Sequence, residues 1–193
     1  MKLEIKLQDR YSRGELLLRT FFGWIYILLP HFFLLFFVGI WSSILKLIAF
    51  LSVLFTGRYP QSIFEFHLGL YRWNLRITAR LYNVSDGYPA FGIKATDEYT
   101  SLEMDYPEKL SRGILILRIL FGFFYVLIPH GFLLFFRFIA TQILIFIGWW
   151  AVLFTAKYPA SFHSFITGTV RWSTRVNLYM GFMTDEYPPF TGK

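Results

Sequence analysis

The chain has 193 residues, 55% hydrophobic and 22% aromatic, with 24 Phe and no Cys, and its mean hydropathy is +0.48. This composition excludes an ordinary soluble domain, and the missing thiols exclude disulfides, a thiolate nucleophile and thiolate metal ligands. The net charge of +7 does not imply nucleic-acid binding: all 12 acids, and all Lys and Arg except Lys46 and Arg137, lie outside two apolar blocks, Thr20–Phe55 and Ile119–Phe154.

At the start, Leu3, Ile5 and Leu7 alternate with polar residues, the period of a short strand with one buried face. Met1 to Glu15 does not read as a cleavable signal. The apolar run after it begins late, carries Arg19 and reaches no small-residue cleavage site. Thr20–Phe55 is too long for one membrane crossing, which takes ~20 residues over ~30 Å of hydrocarbon. It is read as a helical hairpin over 16–56 that turns at Gly39–Ser43. The second arm is only about 15 residues, or ~24 Å, so a re-entrant hairpin is the alternative. Arg19 enters at headgroup level, where its side chain can snorkel. Pro30 lacks an N–H and frees the carbonyl of Tyr26, which predicts a kink.

His31, one residue after the proline, is the first candidate site, since an ionisable group inside a membrane helix is costly. Three readings stand: a structural hydrogen bond, a haem iron held with its counterpart His130, and contact with a quinone, lipid or proton. Ser42, Ala49, Ser52 and Thr56 form a stripe of small residues. That stripe suits close helix packing between the two second arms, with a narrow polar path for a solute as the alternative. Lys46 is read as snorkelling outward.

Phe55-Thr56-Gly57-Arg58-Tyr59-Pro60 supplies aromatic and basic interface anchors, and Pro60 suits the first turn of a helix over 60–82. Ile63, Phe66, Leu70, Trp73 and Ile77 share one face of that helix, beside Arg72, Arg76 and Arg80. This is an amphipathic helix for the membrane surface. Arg58, Arg72 and Arg76 are candidates for lipid phosphates, because a guanidinium fork fits phosphate. The alternatives are pairing of Arg72 and Arg76 with Asp86, and of their second-unit counterparts with Asp185, or a simply solvated face. The unit closes in a turn motif, Asp86, Tyr88, Pro89 and Phe91, and residues 93–100 form a linker whose acids, Asp97 among them, are read as solvated.

Everything then recurs. A shift of 99 residues aligns Ser12–Phe91 with Ser111–Phe190 without a gap, identical at 37 of 80 positions, so the chain is a tandem duplication. Its units are 1–92 and 101–193. The second has alternating Leu102, Met104 and Tyr106, a hairpin over 115–155 with Pro129-His130, and a freed carbonyl at Tyr125. Its stripe is Thr141, Gly148, Ala151 and Thr155. An interfacial helix over 159–181 follows, with Lys157, Arg171 and Arg175 as basic candidates. Its closing motif is Asp185, Tyr187, Pro188 and Phe190. The expected fold is therefore all-α integral membrane: two tandem helical hairpins, four membrane helices, each hairpin followed by an amphipathic interfacial helix. Short strands at the start of the units pair on the cytoplasmic side. Repeats of equal orientation predict a pseudo-two-fold axis along the membrane normal. The bias of Lys and Arg places both termini in the cytoplasm.

FTGRYP, then Arg72-Trp73 with Arg76 four residues after the first Arg, then D-x-YP-x-F resembles the uncharacterised bacterial membrane family catalogued as domain-of-unknown-function family 4389. The resemblance covers both copies and rests on Arg58, Tyr59, Pro60, Arg72, Trp73, Arg76, Asp86, Tyr88, Pro89, Phe91 and their counterparts. Lys157 and Ala90 depart from it. It implies a multi-pass protein of the bacterial inner membrane, often one hairpin per domain, and brings no activity. Enzyme signatures such as a nucleophile elbow, a phosphate-binding glycine loop or H-E-x-x-H are missing. The expectation is a non-enzymatic accessory or scaffold subunit of a larger complex. Its partners would be anionic lipid headgroups and other membrane subunits, with no nucleic acid and no cofactor. A small-solute or lipid carrier is the alternative.

Overall fold

The computed structural model covers residues 1–193. It has six elements: β1 (Lys2–Ile5), α1 (Arg13–Thr56), α2 (Gln61–Leu81), β2 (Thr100–Glu103), α3 (Arg112–Thr155) and α4 (Ala160–Met180). The two hairpins are not formed. Each apolar block is one unbroken helix of 44 residues, so the chain has two long apolar helices rather than four spans. The expected turns at Gly39–Ser43 and Phe138–Gln142 are helical. A lone glycine costs a helix only ~1 kcal/mol, whereas a turn in apolar surroundings would leave several backbone groups unpaired. Both helices are long and apolar enough to cross a membrane.

The prolines bend these helices without ending them. Just before Pro30 the helix widens to a π turn over Trp24–Leu28, closed by the Leu29 N–H donating to the Trp24 carbonyl. Phe123–Leu127 does the same before Pro129. The extra residue absorbs the bond that proline cannot make. Along α1, Leu16, Arg19, Gly23, Ile27 and His31, then Ala49 and Val53, are buried on one face, while the rest is largely exposed.

α2 lies against that inner face. Arg19, His31 and Ser42 of α1 meet Asn83, Trp73 and His67. Arg19 to Ser42 would span about 34 Å of straight helix, and His67 to Asn83 about 24 Å. The long helix therefore arches over the shorter one. The α2 span matches expectation to within a residue or so, but 11 of its 21 residues are buried, Arg76 and Arg80 included. It is a packed inner helix, not one with its arginine face laid open.

The strands pair antiparallel, with Lys2 opposite Glu103, Leu3 opposite Leu102 and Glu4 opposite Ser101. Leu3 faces its own equivalent, so the pseudo-two-fold axis passes through that pair. Each strand packs on the other unit's short helix: Arg171 of α4 donates to the Leu3 carbonyl, and Arg72 of α2 to the Leu102 carbonyl. The ends of the long helices cross over as well. Arg13 donates to the Phe154 carbonyl and Arg112 to that of Phe55. The backbone N–H groups of Tyr11 and Leu110 donate to the carbonyls of Ala156 and Gly57. Gly57 ends α1 at φ 72°, and a Cβ there would meet the Leu110 carbonyl at 3.3 Å. One core of 22 buried residues joins the ribbon, the ends of both long helices and the two short helices.

Candidate functional site

Proline, histidine and the closing motif converge in one cluster per unit. Pro30 leaves the Tyr26 carbonyl without its helical donor, and the Tyr88 hydroxyl donates to that oxygen at 3.0 Å. In the second unit Tyr187 donates to Tyr125 at 2.8 Å. The indole N–H of Trp73 donates to His31 Nδ1 at 2.8 Å, and Trp172 to His130 Nδ1 at 2.9 Å. Since an indole only donates, Nδ1 is the acceptor and each ring carries its proton on Nε2. Phe91 stacks on His31 with centroids 4.1 Å apart, and Phe190 on His130 at 4.0 Å.

The histidines are 1% and 0% exposed, and neither Nε2 has a partner. A desolvated imidazole N–H can donate to an incoming carbonyl or ester oxygen. Each ring is walled by Trp, Tyr and Phe of its own unit, and Nδ1 is occupied, which disfavours a shared haem between them. No group of three or more His, Asp or Glu could hold a metal ion.

The closing aspartates anchor the start of the long helices. Asp86 accepts from Arg19 at 2.8 Å and from the backbone N–H of the helix-capping Ser12 at 2.5 Å. Asp185 takes the same bonds from Arg118 and Ser111. Arg19 and Arg118 are 6% and 2% exposed, so they are buried pair members, not snorkelling cations. The sequence held the signal: both pairs are 67 residues apart and recur together under the 99-residue shift.

The other arginine candidates are spent on backbone oxygens. Arg76 donates to the carbonyls of Ala90, Gly92 and Ala95, fastening the closing segment to α2. Arg171 and Arg175 reach the tail carbonyls of Gly192 and Thr191. Arg72 holds β2, and neither it nor Arg76 pairs with Asp86. Arg58 and Lys157 alone of the six are exposed. Asp97 is not solvated. It forms a paired bond with Arg80 and accepts from Thr100. Burial pushes its carboxyl pKa up, but the bonds from Arg80 and Thr100 outweigh this and leave it below the ordinary value.

The main contacts of the twin arms are not with each other. The C-terminal part of each long helix packs on the N-terminal part of the other, as the Trp149 N–H to Thr20 hydroxyl bond at 2.8 Å marks. Ser52 and Thr56 spend their hydroxyls on the carbonyls of Arg58 and Ser52, and Thr155 on that of Ala151. Thr141 bonds Thr169, and a Cβ on Gly148 would lie 2.5 Å from the Tyr158 ring. Ala49 is buried and Ala151 half-buried. Arg137 sits mid-helix, donating to Thr169 and the Phe165 carbonyl.

No curated protein and no solved structure matches the chain. A family model matches it twice, at residues 16–92 and 114–192, and each match contains one complete set of proline, histidine, arginine, tryptophan and closing-turn residues. The chain belongs to the family described as Domain of unknown function (DUF4389), carried as a tandem pair.

Proposed function

We propose that the protein is a non-enzymatic scaffold of the bacterial inner membrane, seated in the bilayer by its two arched helices. The carrying observation is the outward surface of those arches. From Phe21 to Phe55 and from Ile119 to Phe154 it is exposed and almost wholly apolar, a surface that soluble monomers rarely leave bare. The recurring polar motifs, by contrast, bond one another and the backbone, which supports an architectural role over a catalytic one.

Forty-four residues are about twice one crossing. In this reading the crowns around Phe32–Trp41 and Phe132–Ile139 dip into hydrocarbon. The helix ends, ribbon and termini stay on the cytoplasmic face, where Arg13, Arg58, Arg112 and Lys157 meet anionic headgroups. The apolar crowns then offer packing surfaces to larger membrane subunits. A carrier using the serine and threonine stripe draws less support, because the hydroxyls of Ser52, Thr56, Thr141 and Thr155 bond the protein's own backbone or Thr169.

The absence of native cysteine makes the topology directly testable. Single cysteines at Lys2, Asp105 and Lys193 should react with an impermeant maleimide only in inside-out vesicles, and Ser43→Cys and Gln142→Cys in neither orientation. Labelling of the crown positions from outside would refute the dipping arrangement. Affinity capture from native membranes with mass spectrometry tests the scaffold role: stoichiometric larger subunits support it, and a protein that always elutes alone refutes it.

A further inference from the structure

One cavity breaks the internal symmetry. It holds about 200 Å³ between α1, α2 and the end of α4, and its lining includes Lys46, Tyr71, His67, Asn74, Ser42 and Met183. Under the 99-residue shift, Lys46, His67, Tyr71 and Asn74 become Ile145, Ile166, Val170 and Ser173. Three of these differences, at Lys46, His67 and Tyr71, set a polar side chain where the second unit has an aliphatic one, and all three fall at the same place.

Lys46 is the one cation of its apolar block and has no carboxylate partner; its ammonium lies 5.9 Å from the centre of the Phe182 ring. Arg137, the lone cation of the other block, is by contrast bonded to Thr169 and Phe165. Both ring nitrogens of His67 are engaged within the protein, Nδ1 with the Tyr59 hydroxyl at 2.8 Å and Nε2 with the Ser42 carbonyl at 3.2 Å. No acid lines the cavity, while Met183 and Leu70 give it an apolar side. An unpaired ammonium beside a phenol and an amide, in a wall free of carboxylates, selects an oxyanion. Its position within an apolar helix selects one that brings hydrocarbon with it.

We propose that this cavity binds the headgroup phosphate of one anionic lipid, with Lys46 as the charge partner and Tyr71 as a hydrogen-bond donor. Access for such a lipid rests on the bilayer seating proposed above. The site is single, with its polar groups on the first unit and no counterpart at the equivalent place in the second.

The test is native mass spectrometry of the detergent-purified protein titrated with phosphatidylglycerol, phosphatidylcholine or inorganic phosphate. Lys46→Ile installs the residue that the second unit already carries at this position, and Lys46→Arg keeps the charge. Expected is one phosphatidylglycerol bound tightly by the parent, its affinity reduced about tenfold in Lys46→Ile and retained in Lys46→Arg, with phosphatidylcholine unaffected by either change. Lys46-dependent binding of inorganic phosphate at equal affinity would support the oxyanion site and assign its source to solution. Equal phosphatidylglycerol binding by the parent and Lys46→Ile would overturn the proposal. Resistance of the parent to alkaline extraction from membranes is measured alongside. Its loss would defeat the bilayer seating, whereas equal lipid binding in a protein that resists extraction defeats the site alone.

Discussion

Replacing Asp86 by alanine strands a buried guanidinium. The Arg19 side chain is 3% exposed, and Asp86 is its buried carboxylate; the other, Glu15 at 3.0 Å, is 42% exposed and screened by solvent. Removing one partner of a buried pair costs about 3–5 kcal/mol. With Glu15 left as a weak substitute, about 3 kcal/mol is expected, or a fall of about 6–12 °C in Tm for a chain of this size. Asp185→Ala should cost more. Arg118 has no second carboxylate and would keep the carbonyls of Tyr179 and Thr184 and the rings of Tyr179 and Phe182. The assay is thermal unfolding in mild detergent, followed by tryptophan fluorescence. The double variant Arg19→Met with Asp86→Ala removes the stranded charge and should recover part of the loss. The reasoning is refuted if Asp86→Ala shifts Tm by less than about 2 °C, or if adding Arg19→Met makes it worse by the full sum of the single effects.

Tyr88→Phe should cost about 1 kcal/mol, and the cost should shrink when Pro30→Ala supplies the missing backbone donor, a coupling read from a double-mutant cycle. Trp73→Phe should cost about 1–3 kcal/mol by orphaning His31 Nδ1; nitrogen chemical shifts of the ring should then show the proton no longer confined to Nε2. Asp97 has a folded-state pKa below its unfolded value, so its contribution is whole above about pH 4 and is lost as pH falls toward the folded value. Asp97→Asn should therefore flatten the acid limb of the stability curve while costing stability near neutrality.

The duplication, the two strands and the short helices were legible because each leaves a periodic trace. The freed carbonyls of Tyr26 and Tyr125 followed from the covalent chemistry of proline alone. Hydropathy, however, measures how much chain is apolar and not how it curves. Thr20–Phe55 reads equally as two short arms or one long arch, and only its contacts with α2 separate them. Arg76 shows a second limit. Its partners are backbone carbonyls, which every residue owns, so no complementary side chain marks the bond. Arg19 with Asp86 is the opposite case, a pairing spelled out twice but masked by the habit of placing arginine at headgroups.

The strand exchange at Leu3 and Leu102 bears on chains that carry the unit once. There the short helix would lack the strand that Arg72 grips, and the first strand would have no equivalent to face. A second copy restores both through a true two-fold axis, with Leu3 meeting Leu3. A chain carrying the unit once should therefore assemble as an isologous homodimer. The tandem chain described here is such a dimer written into one polypeptide, which frees one half to acquire a cavity that the other lacks.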